Sequence, residues 1–145
     1  MAVEIRLTEF DPYGETQRHE LKLAQRGKLG ALVSFIGTMR DFNEGAPVEA
    51  MILEYYSGMT EKHLLRISEE ATARWDVLDT LIIHRVGNLV PCEAIVLVAV
   101  WASHRDPAFQ ACRYLIEELK TRAPFWKKEK IGTTYRWTKK NTHSD

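Results

Sequence analysis

Cysteine is scarce in this sequence, at two residues in 145. Cys92 and Cys112 form neither a CxxC pair nor a zinc-binding spacing, which excludes a disulfide framework and the common thiolate metal centres. There is no excess of charge of either sign. Twenty Lys and Arg balance twenty Asp and Glu, so the basic surplus of a general nucleic-acid binder is missing. No long apolar run exists: the longest, Ala94 to Ala102, is about half of the roughly 18 residues that a membrane span needs. The opening Met1-Ala2-Val3-Glu4-Ile5-Arg6-Leu7 alternates polar and apolar, unlike a signal peptide. A Ser/His/Asp signature, a P-loop and a GxGxxG are all absent. His19, His63, His84 and His143 show no ligand spacing, so no metal is expected. The expectation is a reduced, cytoplasmic protein without membrane or nucleic-acid partners, in which both thiols serve packing.

What is present reads as α+β. The chain is 45% hydrophobic and 28% charged, the length and make-up of one soluble domain over residues 1–145. Val3, Ile5 and Leu7 alternate with charged residues and predict an opening strand. The polar stretch Pro12 to Arg26 predicts a weak helix. Gly30 to Met39 and Val48 to Tyr56 predict two strands around a turn-rich segment at 40–47, hence an antiparallel pair. Thr60 is placed to cap a helix running to about Trp75, with Leu64, Ile67, Ala71 and Trp75 on one face. Val77 to Val86 and Glu93 to Ser103 predict strands joined through 87–92. Asp106 before Pro107 predicts a helix start, an N-cap acceptor followed by proline at the first helical position. Phe109, Cys112, Leu115, Ile116 and Leu119 form that helix's apolar face, and Pro124 stops it by pushing Ala123 out of helical geometry. Phe125 to Ile131 and Thr134 to Trp137 predict two terminal strands. Together these predict a mostly antiparallel sheet with packed helices.

Four segments stand out. Phe35-Ile36-Gly37-Thr38-Met39-Arg40-Asp41 sets an arginine where a strand gives way to a loop. That position suits an anion, and equally suits a solvated arginine paired with Asp41. Ser103-His104-Arg105-Asp106-Pro107 puts His104 and Arg105 just before a helix N-terminus, where free N–H groups and the helix dipole favour a phosphate. The plainer reading there is Asp106 capping the helix between solvated neighbours. In LKTRAPFWKKE (119–129), Lys120, Lys127 and Lys128 bracket an aromatic pair. Lys127 and Lys128 are adjacent, so on a strand they face opposite ways, Lys127 toward a pocket and Lys128 toward water; a solvated basic edge has the same spacing. Leu53 to Thr60 reads as architecture: a strand, a glycine turn and a helix start.

GALVSFIGTMRD, LEYYSGMTEKHL, HRVGNLVPCE, ASHRDPAF and LKTRAPFWKKE, in that order from about Gly30 to Glu129, resemble the motifs of the large, catalytic subunit of molybdopterin synthase. The last is the most specific. The resemblance implies an α/β hammerhead-like domain and a sulfurtransferase of molybdenum-cofactor biosynthesis. Such an enzyme converts cyclic pyranopterin monophosphate (precursor Z) into molybdopterin. The sulfur arrives as a thiocarboxylate on the C-terminal Gly-Gly of a small ubiquitin-like sulfur-carrier subunit. The resemblance also implies a homodimer of this chain within a heterotetramer. No cofactor is expected. Carried over position by position, the substrate-binding residues would be Thr38, Met39, Arg40, His104, Arg105, Lys120, Lys127, Lys128 and Glu129, with Phe35 and Arg136 as further pocket positions. Cys92 departs from the pattern, which usually has glycine there. Cysteine tolerates positive φ less well, so a rearranged turn is expected.

The residue chemistry agrees with this reading. Arg40, His104 and Arg105 would anchor a phosphate. The partner brings the nucleophile, so no catalytic cysteine is required. Lys120 is the first choice for general acid/base or oxyanion work and Lys127 the second, because neighbouring cations and partial burial draw a lysine pKa toward neutrality. Two other classes stay open. One is a non-catalytic docking module for a ubiquitin-like tail. The other is a single-strand RNA binder stacking bases on Phe125 and Trp126, against which the balanced charge counts.

Overall fold

Nine consecutive residues as apolar as Ala94–Ala102 call for burial on both faces. In the computed structural model, which describes residues 1–138, they form an inner strand of a four-stranded sheet. In chain order the elements are β1 (Ala2–Arg6), α1 (Pro12–Leu21), a 3-10 turn at Arg26–Lys28, β2 (Ala31–Thr38), β3 (Phe42–Asn43), β4 (Ala46–Pro47), β5 (Ala50–Tyr55), α2 (Met59–Arg74), β6 (Asp79–Arg85), β7 (Gly87–Leu89), β8 (Ala94–Ala102), α3 (Arg105–Arg122), β9 (Phe125–Ile131) and β10 (Thr134–Trp137).

The first sheet has the order β1-β6-β8-β2, the second β10-β9-β5-β7, and β3 with β4 forms a separate two-stranded hairpin. The pairs within the two four-stranded sheets are antiparallel except β1 with β6, which is parallel. Both helices α2 and α3 cover one face of the first sheet: Leu64, Ile67, Ala71, Ala111, Cys112, Leu115 and Leu119 bury against Ile82, Val96, Val98 and Val100. The opposite face packs Leu81, Ile83, Leu97, Ala99 and Trp101 with Phe10 and the half-buried Leu23 and Leu29. Trp101 is fully buried, and its indole N–H donates to Glu20 at 3.0 Å. A third cluster, Met39, Val48, Met51, Leu53, Val86 and Leu89, joins the second sheet to the first.

The α+β class holds, with several local corrections. The expected pairing of Gly30–Met39 with Val48–Tyr56 does not form. Strand β2 spends its ladder on β8, and after a register shift at Gly37/Thr38 the chain crosses through the small hairpin into the second sheet, where β5 lies between β9 and β7. The weak helix stops at Leu21, five residues short of Arg26, where a 3-10 turn begins. Gly58, at φ 85°, is the N-cap of α2 in place of Thr60. Glu61 accepts from the Gly58 N–H at 2.8 Å, while Thr60 Oγ1 donates to the Pro124 carbonyl at 3.0 Å and so ties the start of α2 to the end of α3. His104 rather than Asp106 is the N-cap of α3. Pro107 is accommodated in the first turn because the first N–H groups of a helix have no intrahelical acceptor anyway. Phe109, expected on the apolar face, is 61% exposed; Ala108 and Ala111 take the inward positions.

Candidate active site

The order of the ladder decides which candidates can meet. Thr38 lies opposite Ala94 at one end of the β2–β8 pair, and Ala31 lies opposite Ala102 at the other. At about 3.3 Å per residue these ends are roughly 25 Å apart. Arg40 leaves the first end, whereas His104 and Arg105 leave the second. Gly30 presses against the Ser103 carbonyl so closely that a Cβ would not fit, which fixes the exit of β8 just before His104. Helix α3 then runs back along the sheet. From Arg105 to Lys120 it climbs about 22 Å at 1.5 Å per residue, which returns Lys120 toward the Thr38 end. Within one chain the candidates therefore form two groups, Thr38, Met39, Arg40 and the lysines at one end, and the exposed His104 and Arg105 at the other.

The last turn of α3 leads through Ala123 and Pro124 straight into β9, so Lys120 and Lys127 flank one corner; both are half-buried. Register sorts the faces of β9. Phe125, Lys127 and Glu129 lie opposite Tyr55, Leu53 and Met51, on the face that carries the third apolar cluster. Trp126 and Lys128 lie on the other face, and the Lys128 ammonium sits 5.0 Å from the Trp137 ring centroid. The alternation expected of the two adjacent lysines is present, although Lys128 leans on an indole instead of standing free in water. Phe35 packs half-buried against the helix-side core.

Beneath Lys127 lies His84, which no spacing rule selected. Its side chain is 5% exposed and stacks on Phe125 with ring centroids 3.8 Å apart. Burial pushes its pKa down to about 4; the hydrogen bond of Nδ1 with the Arg85 carbonyl at 2.8 Å opposes that shift, and the nearby Lys127 charge adds to it. His84 is thus a neutral imidazole at physiological pH, with Nδ1–H as the donor to that carbonyl. The available signal was its place in HRVGNLVPCE, a motif to which no chemistry had been attached.

Met39 is buried and fixed on both sides of its peptide: its N–H donates to the Glu93 carbonyl at 2.9 Å, and its carbonyl accepts from Cys92 N–H at 2.9 Å. The turn that provides these contacts is braced by Arg85, which donates to Glu93 at 3.3 Å and to the Asn88 carbonyl. Cys92 keeps a φ of 77°, so the chain retains a glycine-like turn with a cysteine in it. Its thiol is exposed, which corrects the expectation of a packing role; Cys112 is buried as expected. Thr38 and Cys92 share a cleft of about 550 Å³ with Phe10, Ile36 and Ala94. A cleft of about 370 Å³ on the outside of the helix pair, lined by Trp75, Phe109 and Tyr114 among others, contains none of the candidate residues.

Glu129 is 7% exposed, and its Oε1 accepts from Asn43 Nδ2 at 2.9 Å and lies 3.7 Å from Arg136 Nη2. Arg136 also donates to the Asn43 carbonyl at 3.4 Å. Asn43 is the second residue that sequence reasoning passed over; in a turn-rich segment an asparagine carries no signal beyond the turn. Arg40 is exposed, with its guanidinium 5.2 Å from the Phe42 ring centroid. Among the described residues no three His, Cys, Asp or Glu side chains gather as a metal would require, and no helix is long and apolar enough to cross a membrane.

Three comparisons bear on this arrangement. A family model described as MoaE protein matches residues 12–122. A protein of Ralstonia nicotianae called molybdopterin synthase catalytic subunit is 54% identical over 114 residues, 79% of this chain and 65% of its own length. One of the same name from Pseudomonas aeruginosa is 47% identical over 137 residues, 94% of this chain and 89% of its own. Among solved structures, the molybdopterin biosynthesis MoaE protein from Burkholderia ambifaria superposes with a TM-score of 0.81 at 44% identity, covering 100% of this chain and 94% of that one.

Proposed function

This chain belongs to the MoaE family of molybdopterin synthase catalytic subunits, enzymes of sulfur transfer in molybdopterin synthesis, and from that premise we propose how it works. The substrate is cyclic pyranopterin monophosphate. The sulfur donor is the thiocarboxylated C-terminal tail of a small ubiquitin-like carrier subunit. Each transfer forms a carbon–sulfur bond to the pterin and breaks the acyl–sulfur bond of the tail, with water supplying the oxygen of the released carboxylate. Two charged tails are consumed for each dithiolene. The whole chain, 1–145, acts as one catalytic domain in the cytoplasm.

The observation that carries the reading is the corner where α3 passes into β9. Half-buried Lys120 lies in the last turn of the helix and half-buried Lys127 lies early on the strand, the latter close to a buried neutral histidine. Cationic side chains at such a corner suit an anionic substrate and an anionic tail. Lys120 serves as acid/base or oxyanion stabiliser, Lys127 assists, and Thr38, Met39 and Arg40 line the adjoining substrate site. Positioning two reactants this way is worth up to roughly 7–11 kcal/mol in ideal intramolecular systems.

His104 and Arg105 do not reach that corner in their own chain. We assign them to the corner of a second copy, so that the homodimer completes each site with a phosphate anchor from its neighbour. The separation of about 25 Å along the ladder supports this reading.

The test combines the purified chain with the cyclic pterin and either inorganic sulfide or thiocarboxylated carrier subunit. Molybdopterin is expected only with the carrier. Efficient product formation from sulfide alone would overturn the proposal, and binding of the carrier without any turnover would leave the docking-module reading in its place.

A further inference from the structure

We propose that Asn43 is a positioning residue for the substrate site: by donating to buried Glu129 it latches the β3–β4 hairpin, and Arg40 with it, onto the strand that carries Lys127. The inference rests on the functional reading above for what the site binds, but the latch itself is geometric.

The hairpin's own pairing is short. Each arm contributes two residues, Phe42 pairing with Pro47 and Asn43 with Ala46, around Glu44 and Gly45 at φ 51° and 77°. Isolated two-stranded hairpins are marginal in water, and Phe42 is 53% exposed, so it adds little apolar burial. At the hairpin's base, Val48 N–H donates to the Asp41 carbonyl at 2.8 Å. Among the described residues, Asn43 hydrogen-bonds the hairpin to the second sheet, its amide donating to Glu129 and its carbonyl accepting from Arg136. A carboxylate as buried as Glu129 needs compensation, and Asn43 and Arg136 together supply it. Glu129 is two residues from Lys127 on the same face of β9, and Arg40 is three residues before Asn43 with its guanidinium against Phe42. The latch therefore sets the distance between the arginine on the hairpin and the lysine on the strand.

The resemblance assigned Glu129 to substrate binding, and the two roles give opposite results in one experiment. Asn43→Asp opposes two carboxylates. Asn43→Asp combined with Glu129→Gln reverses the hydrogen bond, with the glutamine amide now donating to the aspartate. The full chain is assayed with thiocarboxylated carrier subunit and cyclic pterin, and amide hydrogen exchange is followed at 41–47, with β8 amides as the control for global stability. Asn43→Asp is expected to raise KM about tenfold, the worth of a hydrogen bond to a charged group, with kcat changed less than about twofold and exchange at 41–47 accelerated. The double variant is expected to recover most of both effects. An unchanged KM in Asn43→Asp, or a double variant as impaired as the single one, overturns the latch. If the unaltered chain makes no product with its carrier, the functional reading fails, and hydrogen exchange alone then decides for or against the latch.

Discussion

The imidazole of His84 lies flat on the ring of Phe125, with centroids 3.8 Å apart and planes 14° from parallel. His84 is the last residue but one of β6 in the first sheet, and Phe125 opens β9 of the second, so this stack is one of the points where the two sheets meet. Burial keeps the ring neutral, with a pKa near 4 against an ordinary 6.5.

That contact has a pH signature. Between pH 6.5 and about 4 the unfolded chain takes up a proton at His84 that the folded chain refuses, so stability falls as the pH falls through this window. The whole effect is about 3 kcal/mol, of which little remains to be lost below pH 4. Asp79, whose carboxylate is held below its ordinary 3.8 by the Met1 amine and His19 against the opposing effect of burial, weakens the fold only at lower pH. Urea titrations from pH 7 to 4 are expected to show a shallower decline for His84→Phe than for the unaltered chain. Parallel declines would contradict the assignment of a neutral buried imidazole.

Lys120 and Arg40 are expected to separate kinetically. Lys120→Ala should lower kcat by about 10²–10⁴-fold even at saturating pterin, the usual loss for a positioned acid or base. Arg40→Ala should chiefly raise KM, because a permanently charged anchor binds ground and transition states alike. Lys120→Arg keeps the charge but does not readily release a proton. A near-normal kcat in that variant would reduce Lys120 to an electrostatic anchor.

The shared site can be examined by mixing. Lys120→Ala and Arg105→Ala chains, each poorly active alone below KM, are refolded together. If each site draws Lys120 from one copy and Arg105 from the other, mixed dimers retain one intact site and the mixture recovers about a quarter of full activity. No recovery is expected if both residues serve the same chain's site. Light scattering of the isolated chain, read against the 16.7 kDa monomer mass, supplies the oligomeric state independently.

The two thiols should behave as opposites. Cys92 is exposed and should react with iodoacetamide in the native protein, whereas Cys112 is buried, with its thiol pushed up to about 11, and should react only on unfolding. Because Cys92 holds φ 77°, Cys92→Gly should be neutral or stabilising by up to about 1 kcal/mol and Cys92→Val destabilising by at least as much. The Cys92→Ser, Cys112→Ser double variant should keep most of its turnover. Its complete inactivity in a folded state would point to a direct role for one of the thiols.

Much of this was legible in the sequence, and the exceptions share a cause. Strand positions followed from runs such as Ala94–Ala102, whose apolar character admits little else. Pairing did not, because Gly30–Met39 and Val48–Tyr56 are neighbours in sequence while β8 offers β2 a longer ladder. The cap of α3 was misplaced by two residues because proline is compatible with several positions in the first turn. Phe109 misled because aromatic size suggests burial, whereas one residue along a helix is a rotation of about 100°. The candidate cations were readable as types in motifs. Their division between two ends of the molecule was not, since it depends on β8 and α3 running in opposite directions. His84 and Asn43 act through ring stacking and a side-chain hydrogen bond, neither of which leaves a periodic trace.

Helix α3 also sets limits on which length changes the chain can absorb. One extra residue between Arg105 and Lys120 would add only about 1.5 Å but would turn everything beyond it by roughly 100°. Leu115 and Leu119 would then swing off the sheet, and Lys120 would leave its corner. The hairpin tip at Glu44 and Gly45, by contrast, is open to solvent and free of such a phase. Relatives of different length should therefore differ at that tip and in the terminal segments, and keep the spacing from Arg105 to Lys120 fixed at fifteen residues.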